Sequence, residues 1–240
     1  MRRGTVRLDR AMSKLGVASR AEAQRLVADG RVRLDGRVVR DPSLLVVPER
    51  ARIVVDGVKP AARAWRTIAF HKPRGVVTTR RDPQGRPTVF AALGDEARSL
   101  VAVGRLDLAS TGLLLLTSDT QLANRLTDPA NAVVRRYVVT VRGAVDDGDA
   151  KRMVTGIDGL RARSAIVRKR STRETHLVIE LVEGKNREIR RMLKSLGHEV
   201  TKLMRVAFGP IELGRLQPGE FREVRPDEIE PGLKTLLLGP

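Results

Sequence analysis

The sequence contains no cysteine among its 240 residues, which excludes disulfide bonds and thiolate metal sites and is typical of a reducing compartment. Its three histidines, His71, His176 and His198, lack the spacing of metal ligands. No apolar run reaches the roughly 18 residues of a membrane-spanning helix, and residues 1–4 lead into a folded pattern without an apolar signal core. We therefore expect a cytoplasmic protein with no metal and no membrane partner.

Aromatic residues make up only 2% of the chain, too few for a protein that holds single-stranded nucleic acid on a row of stacked rings. The sequence also lacks both common Gly-rich nucleotide loops. Positive charge is abundant: 46 Lys and Arg against 28 Asp and Glu give a net charge of +18. Such a charge indicates a polyanionic partner, nucleic acid first and an anionic membrane surface second. With so few aromatics, we expect a protein that binds folded RNA through its backbone and shape.

Residues 6–57 have the pattern of a small module with two helices followed by a hairpin. Apolar residues recur at helical spacing over residues 8–15. Ser19, followed three residues later by Glu22, forms a capping box that begins a second helix. An Asp-Gly pair at 35–36, flanked by valines and leucine, is a strong signal for a two-residue hairpin turn.

Positive side chains are interleaved throughout this module. A single exposed cation is usually only solvated, but so many on one small unit predict a face that contacts phosphates. The whole pattern resembles the S-four-type RNA-binding domain, a helix–helix–hairpin fold that binds structured RNA. The cations assigned to RNA contact in this module are Arg7, Arg10, Lys14, Arg20, Arg25, Arg31 and Arg33.

Residues 58–66 show neither helical nor strand periodicity and contain a proline, so they predict a linker to a second domain at 67–240. That domain begins with a predicted strand at 67–70, then a Pro-Gly turn leading to a second strand at 76–79. The basic, proline-punctuated loop 80–88 predicts a phosphate clamp. The cations assigned to RNA contact here are Lys72, Arg74, Arg80, Arg81 and Arg86.

The remainder of the second domain alternates helical and strand patterns. A helix with an inward stripe from Ile189 to Leu196 is preceded by a cluster of cations, which the helix dipole disfavours at that end. We therefore expect anions to lie there, either Asp107, phosphate or both. Further helices are predicted at 89–93, 120–127, 146–155 and 227–238, and strands at 133–141, 157–169 and 175–182.

Residues 104–112 (GRLDLASTG) lead into four consecutive leucines, which predict a short strand buried on both faces. In an extended segment, alternate side chains share a face, so Arg105 and Asp107 would point one way while Leu106 and Leu108 anchor the other. On its own, such an aspartate is most often a turn or helix-cap residue.

Several segments together resemble the motifs of the pseudouridine synthases, in the RsuA/RluB-like branch that modifies ribosomal RNA. They are residues 104–112, the KPRG and DPQGRPT runs at 72–75 and 82–88, and the KNREIRRM run at 185–192. The resemblance implies an α+β fold whose mixed, mainly antiparallel sheet carries a cleft across its middle. It also implies catalysis without a cofactor.

The resemblance also implies roles for single residues. Asp107 matches the essential carboxylate, acting either as nucleophile or as base toward the ribose. Tyr137, the only tyrosine of the chain, matches a ring that packs against the target base, although a packed strand tyrosine is the ordinary alternative. Either Lys185 or Arg187 matches the basic partner of Asp107, and Arg105 would hold the extruded nucleotide's strand or the loop. Asn186, Arg190 and Arg191 complete the predicted RNA contacts.

The sequence thus predicts a monomeric isomerase that converts a uridine to pseudouridine in a structured stem-loop of ribosomal RNA. The Asn-Arg-Glu form of residues 186–188 resembles the group acting on large-subunit, 23S RNA rather than the small-subunit, 16S group. Three alternatives stay open at this point. They are a synthase acting on 16S RNA, a non-catalytic RNA-binding factor of ribosome assembly, and a synthase acting on transfer RNA.

Overall fold

The computed structural model describes residues 4–48, 50–60 and 65–229. The chain divides into two compact units, the first formed by residues up to 66 together with 118–121 and the second by the remainder. Parts of two predicted segments, the linker at 61–64 and the helical tail from 230 onward, lie outside the described residues.

The described residues up to 60 form two helices and two small sheets. Helix α2 begins at the predicted capping box, because Ser19 Oγ accepts from Glu22 N at 3.3 Å and Glu22 Oε2 accepts from Ser19 N at 3.4 Å. Strand β2 pairs antiparallel with β3 across the predicted hairpin and with β5 on its other side. The elements are β1 Val6–Arg7, α1 Leu8–Lys14, α2 Arg20–Ala28, β2 Val32–Leu34, β3 Arg37–Val39, β4 Leu45–Val46 and β5 Ile53–Val55.

A buried carboxylate ties the two helices of the first unit together. Asp9 is fully buried, and its side chain accepts hydrogen bonds from Arg7, from Arg20 at 3.3 Å and from Gln24 at 2.7 Å. Burial alone would raise the pKa of Asp9, but these hydrogen bonds outweigh it and hold the pKa below its ordinary value. Arg7 and Arg20, predicted as phosphate ligands, are therefore also engaged inside their own unit.

The second unit is built on one large sheet. Nine strands of the described chain form it, seven of them in the order β10-β11-β9-β12-β8-β6-β14, while β7 pairs with β8 and β13 with β12. Every pairing is antiparallel except that of β8 with β12. The α+β class and the mixed, mainly antiparallel sheet are confirmed. The elements are β6 Thr67–Lys72, α3 Val89–Leu93, β7 Val101–Val103, β8 Thr111–Thr117, α4 Thr120–Thr127, β9 Arg135–Arg142, α5 Asp147–Thr155, β10 Ser164–Arg170, β11 Glu174–Leu181, α6 Glu188–Ser195, β12 Val200–Phe208, β13 Ile211–Glu212 and β14 Phe221–Glu223.

Two strand predictions in this unit were wrong in detail. Residues 76–79 form no strand, because Gly75 N donates to Leu108 O at 2.9 Å and Thr78 Oγ1 donates to Leu106 O at 3.0 Å. These hydrogen bonds go to the 104–110 loop instead of to a neighbouring strand. The strand predicted from 157 begins later, because residues 157–160 close a tight turn.

The predicted leucine strand lies at the centre of the sheet. Leu113 to Leu116 are all fully buried in β8, as expected for a strand covered on both faces. Gly112, which precedes them, has a φ of +101°, and a Cβ placed there would lie 2.2 Å from the backbone oxygen of Arg205. Only glycine permits β8 and β12 to approach this closely in parallel.

The close approach at Gly112 leads to the first prediction. Gly112→Ala adds a methyl group that must displace the backbone of β12 and also strains a positive φ, so we expect the free energy of unfolding to fall by about 3 kcal/mol or more. Gly143→Ala is the matched control, since Gly143 also has a positive φ of +76° but open space around its Cβ; it should cost about 1–2 kcal/mol. Urea unfolding followed by circular dichroism measures both, and equal losses would contradict the steric argument.

Candidate active site

A cavity of about 270 Å³ opens on the second unit, where the loop before β8, the segment before α6 and the central strands β9 and β12 meet. We call it the Asp107 cavity. The structure brings all five residues predicted for catalysis into its lining. They come from three separate parts of the chain: Arg105 and Asp107, Tyr137, and Lys185 with Arg187.

Asp107 lies in a turn, with its side chain about one-third exposed to the cavity. Its backbone carbonyl accepts from Ser110 N at 3.0 Å, so the extended conformation expected from the sequence ends here. Leu106 is buried beneath the loop as expected, but Leu108 is 39% exposed and anchors nothing. The prediction of two apolar anchors is therefore correct for Leu106 and wrong for Leu108.

The structure distinguishes the two candidate partners of Asp107. Arg187 Nη1 lies 3.8 Å from Asp107 Oδ2. Lys185 Nζ instead lies 2.6 Å from Glu183 Oε2 and donates to Gly159 O at 3.0 Å. Arg187 also has a φ of +48°, uncommon for a residue with a side chain. That backbone conformation directly precedes α6, and the guanidinium of Arg187 faces the carboxylate.

Lys72 does not contact RNA from an exposed position, as its sequence context suggested, because it is fully buried. Its Nζ donates to Pro73 O and to Ser110 O, both at 2.8 Å. Burial lowers the pKa of Lys72 to about 8, although the negative charge of Asp107 opposes that shift. Lys72 therefore serves as an internal support that holds the end of the Asp107 loop.

Arg190, also predicted to contact RNA, holds the same loop from α6. Its Nη2 donates to Ala109 O at 3.3 Å, and its Nη1 donates to Val200 O at 3.1 Å. Burial, and secondly the charge of Arg187, lower the pKa of Arg190, while Asp107 acts in the opposite direction. The loop carrying Asp107 is thus tied to the sheet by the buried Lys72 and to α6 by the half-buried Arg190.

The floor of the Asp107 cavity contains two arginines that the sequence analysis did not single out as site residues. Arg205 in β12 lies directly opposite Tyr137 in β9, and Phe208 lies opposite Arg135, so all four side chains share one face of the sheet. The guanidinium carbons of Arg135 and Arg205 lie 4.8 and 4.9 Å from the centre of the Phe208 ring. The sequence did contain a signal for Arg205. An arginine lies at an inward-facing position of a strand, between Leu203 and Ala207, where an apolar residue is expected.

The cations of loop 80–88 are only partly free to clamp phosphate. The guanidinium of Arg80 lies 4.3 Å from the Phe90 ring centre and donates to Leu100 O. Arg86 is paired with Asp82 at 2.7 Å. Arg80 and Arg86 are exposed despite these contacts, and the other exposed residues among the predicted contacts of this unit are Arg74, Arg81, Asn186 and Arg191.

The described residues contain no group of three or more His, Asp or Glu side chains arranged to hold a metal ion. Among the same residues, no helix has both the length and the apolar character needed to cross a membrane. The acidic groups lining the Asp107 cavity are Asp107, Glu183 and Glu188.

Comparison with known proteins gives consistent similarities. The profile of the RNA pseudouridylate synthase family matches residues 66–195, and that of the S4 domain matches residues 6–50. The chain is 39% identical over 238 residues to an uncharacterized RNA pseudouridine synthase of Aquifex aeolicus, covering 97% of this chain and 96% of that protein. It is 37% identical over 222 residues to the ribosomal large subunit pseudouridine synthase B of Yersinia pestis, covering 88% and 70%. A crystal structure of pseudouridylate synthase matches with a TM-score of 0.65 at 26% identity, covering 95% and 99%.

The burial of Lys72 predicts a specific pH dependence of stability. Because its folded pKa of about 8 lies below the ordinary value of 10.5, the unfolded chain binds more protons between these values. The free energy of unfolding should therefore rise through this window, by up to about 1.4 kcal/mol per pH unit, relative to Lys72→Met. Urea unfolding at pH 7 to 10 measures the difference. The exposed control Lys194→Met should follow the wild type, and a wild type parallel to Lys72→Met would refute the assignment.

Proposed function

The chain belongs to the RNA pseudouridine synthases, which are isomerases, and on this premise we propose that it converts a uridine to pseudouridine in the 23S RNA of the large ribosomal subunit. The observation that carries the proposal is the placement of Asp107 in a cavity, 3.8 Å from Arg187 and together with Tyr137. Residues 6–57 would bind the RNA, residues 67–240 would carry the reaction, and 58–66 would link them in a monomer acting in the cytoplasm.

The reaction breaks the bond between C1′ of the ribose and N1 of uracil, rotates the base and forms a bond from C1′ to C5. The proton at C5 leaves and N1 gains one, so the reaction is an isomerisation that needs no redox cofactor. Asp107 supplies the carboxylate that acts at the ribose, as nucleophile or as base. Arg187 orients this carboxylate, and Tyr137 packs on the base.

The target base must leave its stack to enter the Asp107 cavity, which costs a few kcal/mol. Contacts between exposed cations and the flanking phosphates offset this cost, and the release of counterions makes them salt-dependent. Arg105 is exposed at the mouth of the cavity beside Asp107. Its position suits a contact to the strand from which the base is extruded.

The choice of 23S RNA has two supports. One is the similarity over 88% of the chain to a relative named a ribosomal large subunit pseudouridine synthase. The other is the Asn-Arg-Glu sequence of residues 186–188, which resembles that of the group acting on large-subunit RNA. Within it, Arg187 rather than Lys185 is the cation that faces Asp107.

The proposal predicts the outcome of replacing the carboxylate. Asp107→Asn keeps the side chain's shape but removes its charge, so pseudouridine formation should fall by at least about 10²–10⁴-fold while RNA affinity is kept. The measurement maps pseudouridine in ribosomal RNA from cells with and without the gene, and then in transcripts treated with purified protein. Asp95→Asn is the control, since that side chain is 88% exposed and does not line the cavity.

The mapping also separates the proposal from its rivals. A deletion strain that loses one pseudouridine of 23S RNA supports it. Loss of a site in 16S or transfer RNA would reassign the substrate. Ribosomal and transfer RNA left unchanged by the deletion would refute the enzymatic function. An Asp107→Asn protein that still forms pseudouridine would refute the catalytic role of Asp107.

The exposed cations of the first unit predict a change in the salt dependence of RNA binding. Arg10 and Arg25 are both exposed on that unit, so the double variant Arg10→Gln with Arg25→Gln should reduce the slope of log K against log salt by about 1.4–1.8. Filter binding to a 23S transcript between 50 and 300 mM salt measures the slope. Arg98→Gln, which removes an exposed arginine paired with Asp95 in the second unit, serves as the matched control. An unchanged slope in the double variant would show that Arg10 and Arg25 do not contact phosphates.

A further inference from the structure

Arg205 has an unused hydrogen-bond donor inside the Asp107 cavity. The residue is only 3% exposed, and its Nε donates to Leu113 O at 2.7 Å. Its Nη2 has no hydrogen-bond partner among the described residues. Leaving a buried charged donor unsatisfied is costly, which indicates that a ligand completes its hydrogen bonding.

The surroundings fix where this donor is placed. Arg205 lies between Tyr137 of β9 and Gly112 of β8, so it lies beneath the space next to the tyrosine ring and close to the loop of Asp107. Its guanidinium carbon lies 4.9 Å from the centre of the Phe208 ring, and the hydrogen bond to the backbone oxygen of Leu113 fixes its Nε. The side chain is therefore held in place before any ligand binds.

A second unsatisfied group in the same cavity has the opposite character. Glu188 is 3% exposed, and its Oε2 accepts from Lys185 N at 3.3 Å, whereas its Oε1 has no partner among the described residues. Two buried side chains that line the cavity thus each have an atom without a hydrogen-bond partner among the described residues, a donor on Arg205 and an acceptor on Glu188. Uracil presents a carbonyl oxygen beside a ring N–H, whereas cytosine presents a ring acceptor beside an amino donor.

Hydrogen bonding, not charge, distinguishes a base from a phosphate as the ligand of Arg205. Five cations and three carboxylates line the cavity, so its charge does not exclude an anion. A phosphate of the RNA backbone, however, has no hydrogen to donate to the unsatisfied oxygen of Glu188, whereas the ring N–H of uracil can donate to it.

Building on the proposed function, we propose that Arg205 donates a hydrogen bond from Nη2 to a carbonyl oxygen of the target uracil, with Glu188 as the neighbouring acceptor. Arg205 is then a substrate-contacting residue, and together with Glu188 it favours uridine over cytidine, because cytosine has an acceptor at the ring position where uracil has the N–H that donates to Glu188. It acts on the base, while Asp107 acts on the ribose.

The test combines one variant with atomic changes in the RNA. Arg205→Met should slow single-turnover pseudouridine formation about 10–100-fold, with the salt slope of RNA binding unchanged. Transcripts carrying 2-thiouridine or 4-thiouridine at the mapped position weaken one carbonyl acceptor at a time. One of the two should slow the wild type, and Arg205→Met should show no further loss with it, the coupling expected of two groups in contact. Arg142→Met, an exposed arginine of the same sheet, should behave as the wild type.

Each contrary outcome has a distinct meaning. A salt slope reduced by about 0.7–1 in Arg205→Met would show that Arg205 contacts a phosphate instead. Additive losses from the variant and from both thio substitutions would show a merely structural role. If the wild type forms no pseudouridine, the proposed function is wrong.

A second experiment measures ligand binding to the wild-type protein, so it needs neither catalytic activity nor a correctly folded variant. UMP, CMP and inorganic phosphate are titrated into the wild-type protein and followed by NMR of the arginine side-chain N–H groups. We expect UMP to bind more tightly than CMP and to shift one buried arginine signal, and phosphate not to displace it. Equal affinity for UMP and CMP, or displacement by phosphate, would overturn the inference.

Discussion

The site depends on how one loop is held between a buried lysine and a half-buried arginine. Lys72 binds the carbonyl of Ser110 from the sheet, and Arg190 binds that of Ala109 from α6. Burying a lysine is unfavourable unless its charge and donors are matched, and here two carbonyls and the nearby carboxylate of Asp107 match them. The cations thereby fix the loop and at the same time place positive charge around the carboxylate that it carries.

The second constraint is the parallel contact between β8 and β12. Because Gly112 allows the two backbones to meet, Arg205 comes to lie between the strand that follows the Asp107 loop and the strand that carries Tyr137. Carboxylate, phenol ring and guanidinium, which are far apart in sequence, then share one cavity. The parallel pairing of β8 with β12 is therefore what brings the residues of the site together in a mainly antiparallel sheet.

Local signals explain which features the sequence predicted correctly. The capping box at Ser19 and Glu22 and the inward stripe of α6 depend on neighbours within one or two turns. Hydrogen bonds to residues 25 or more positions away determine the burial of Lys72, the contact of Arg190 and the conformation of residues 76–79. A cation in the sequence looks the same whether it will contact a phosphate or a buried carbonyl, so its role could not be predicted.

This distinction changes the meaning of the net charge of +18. Cations that support the fold, such as Lys72 and Arg135, are enclosed by carbonyl oxygens, and only the exposed ones are available to RNA. Inside the cavity, three carboxylates offset part of the charge of four arginines and a lysine, and burial together with Glu183 raises the pKa of Glu188. A strongly cationic surface can therefore attract the RNA backbone while the cavity itself stays suited to a neutral base, which separates the binding of phosphates from the recognition of the nucleotide.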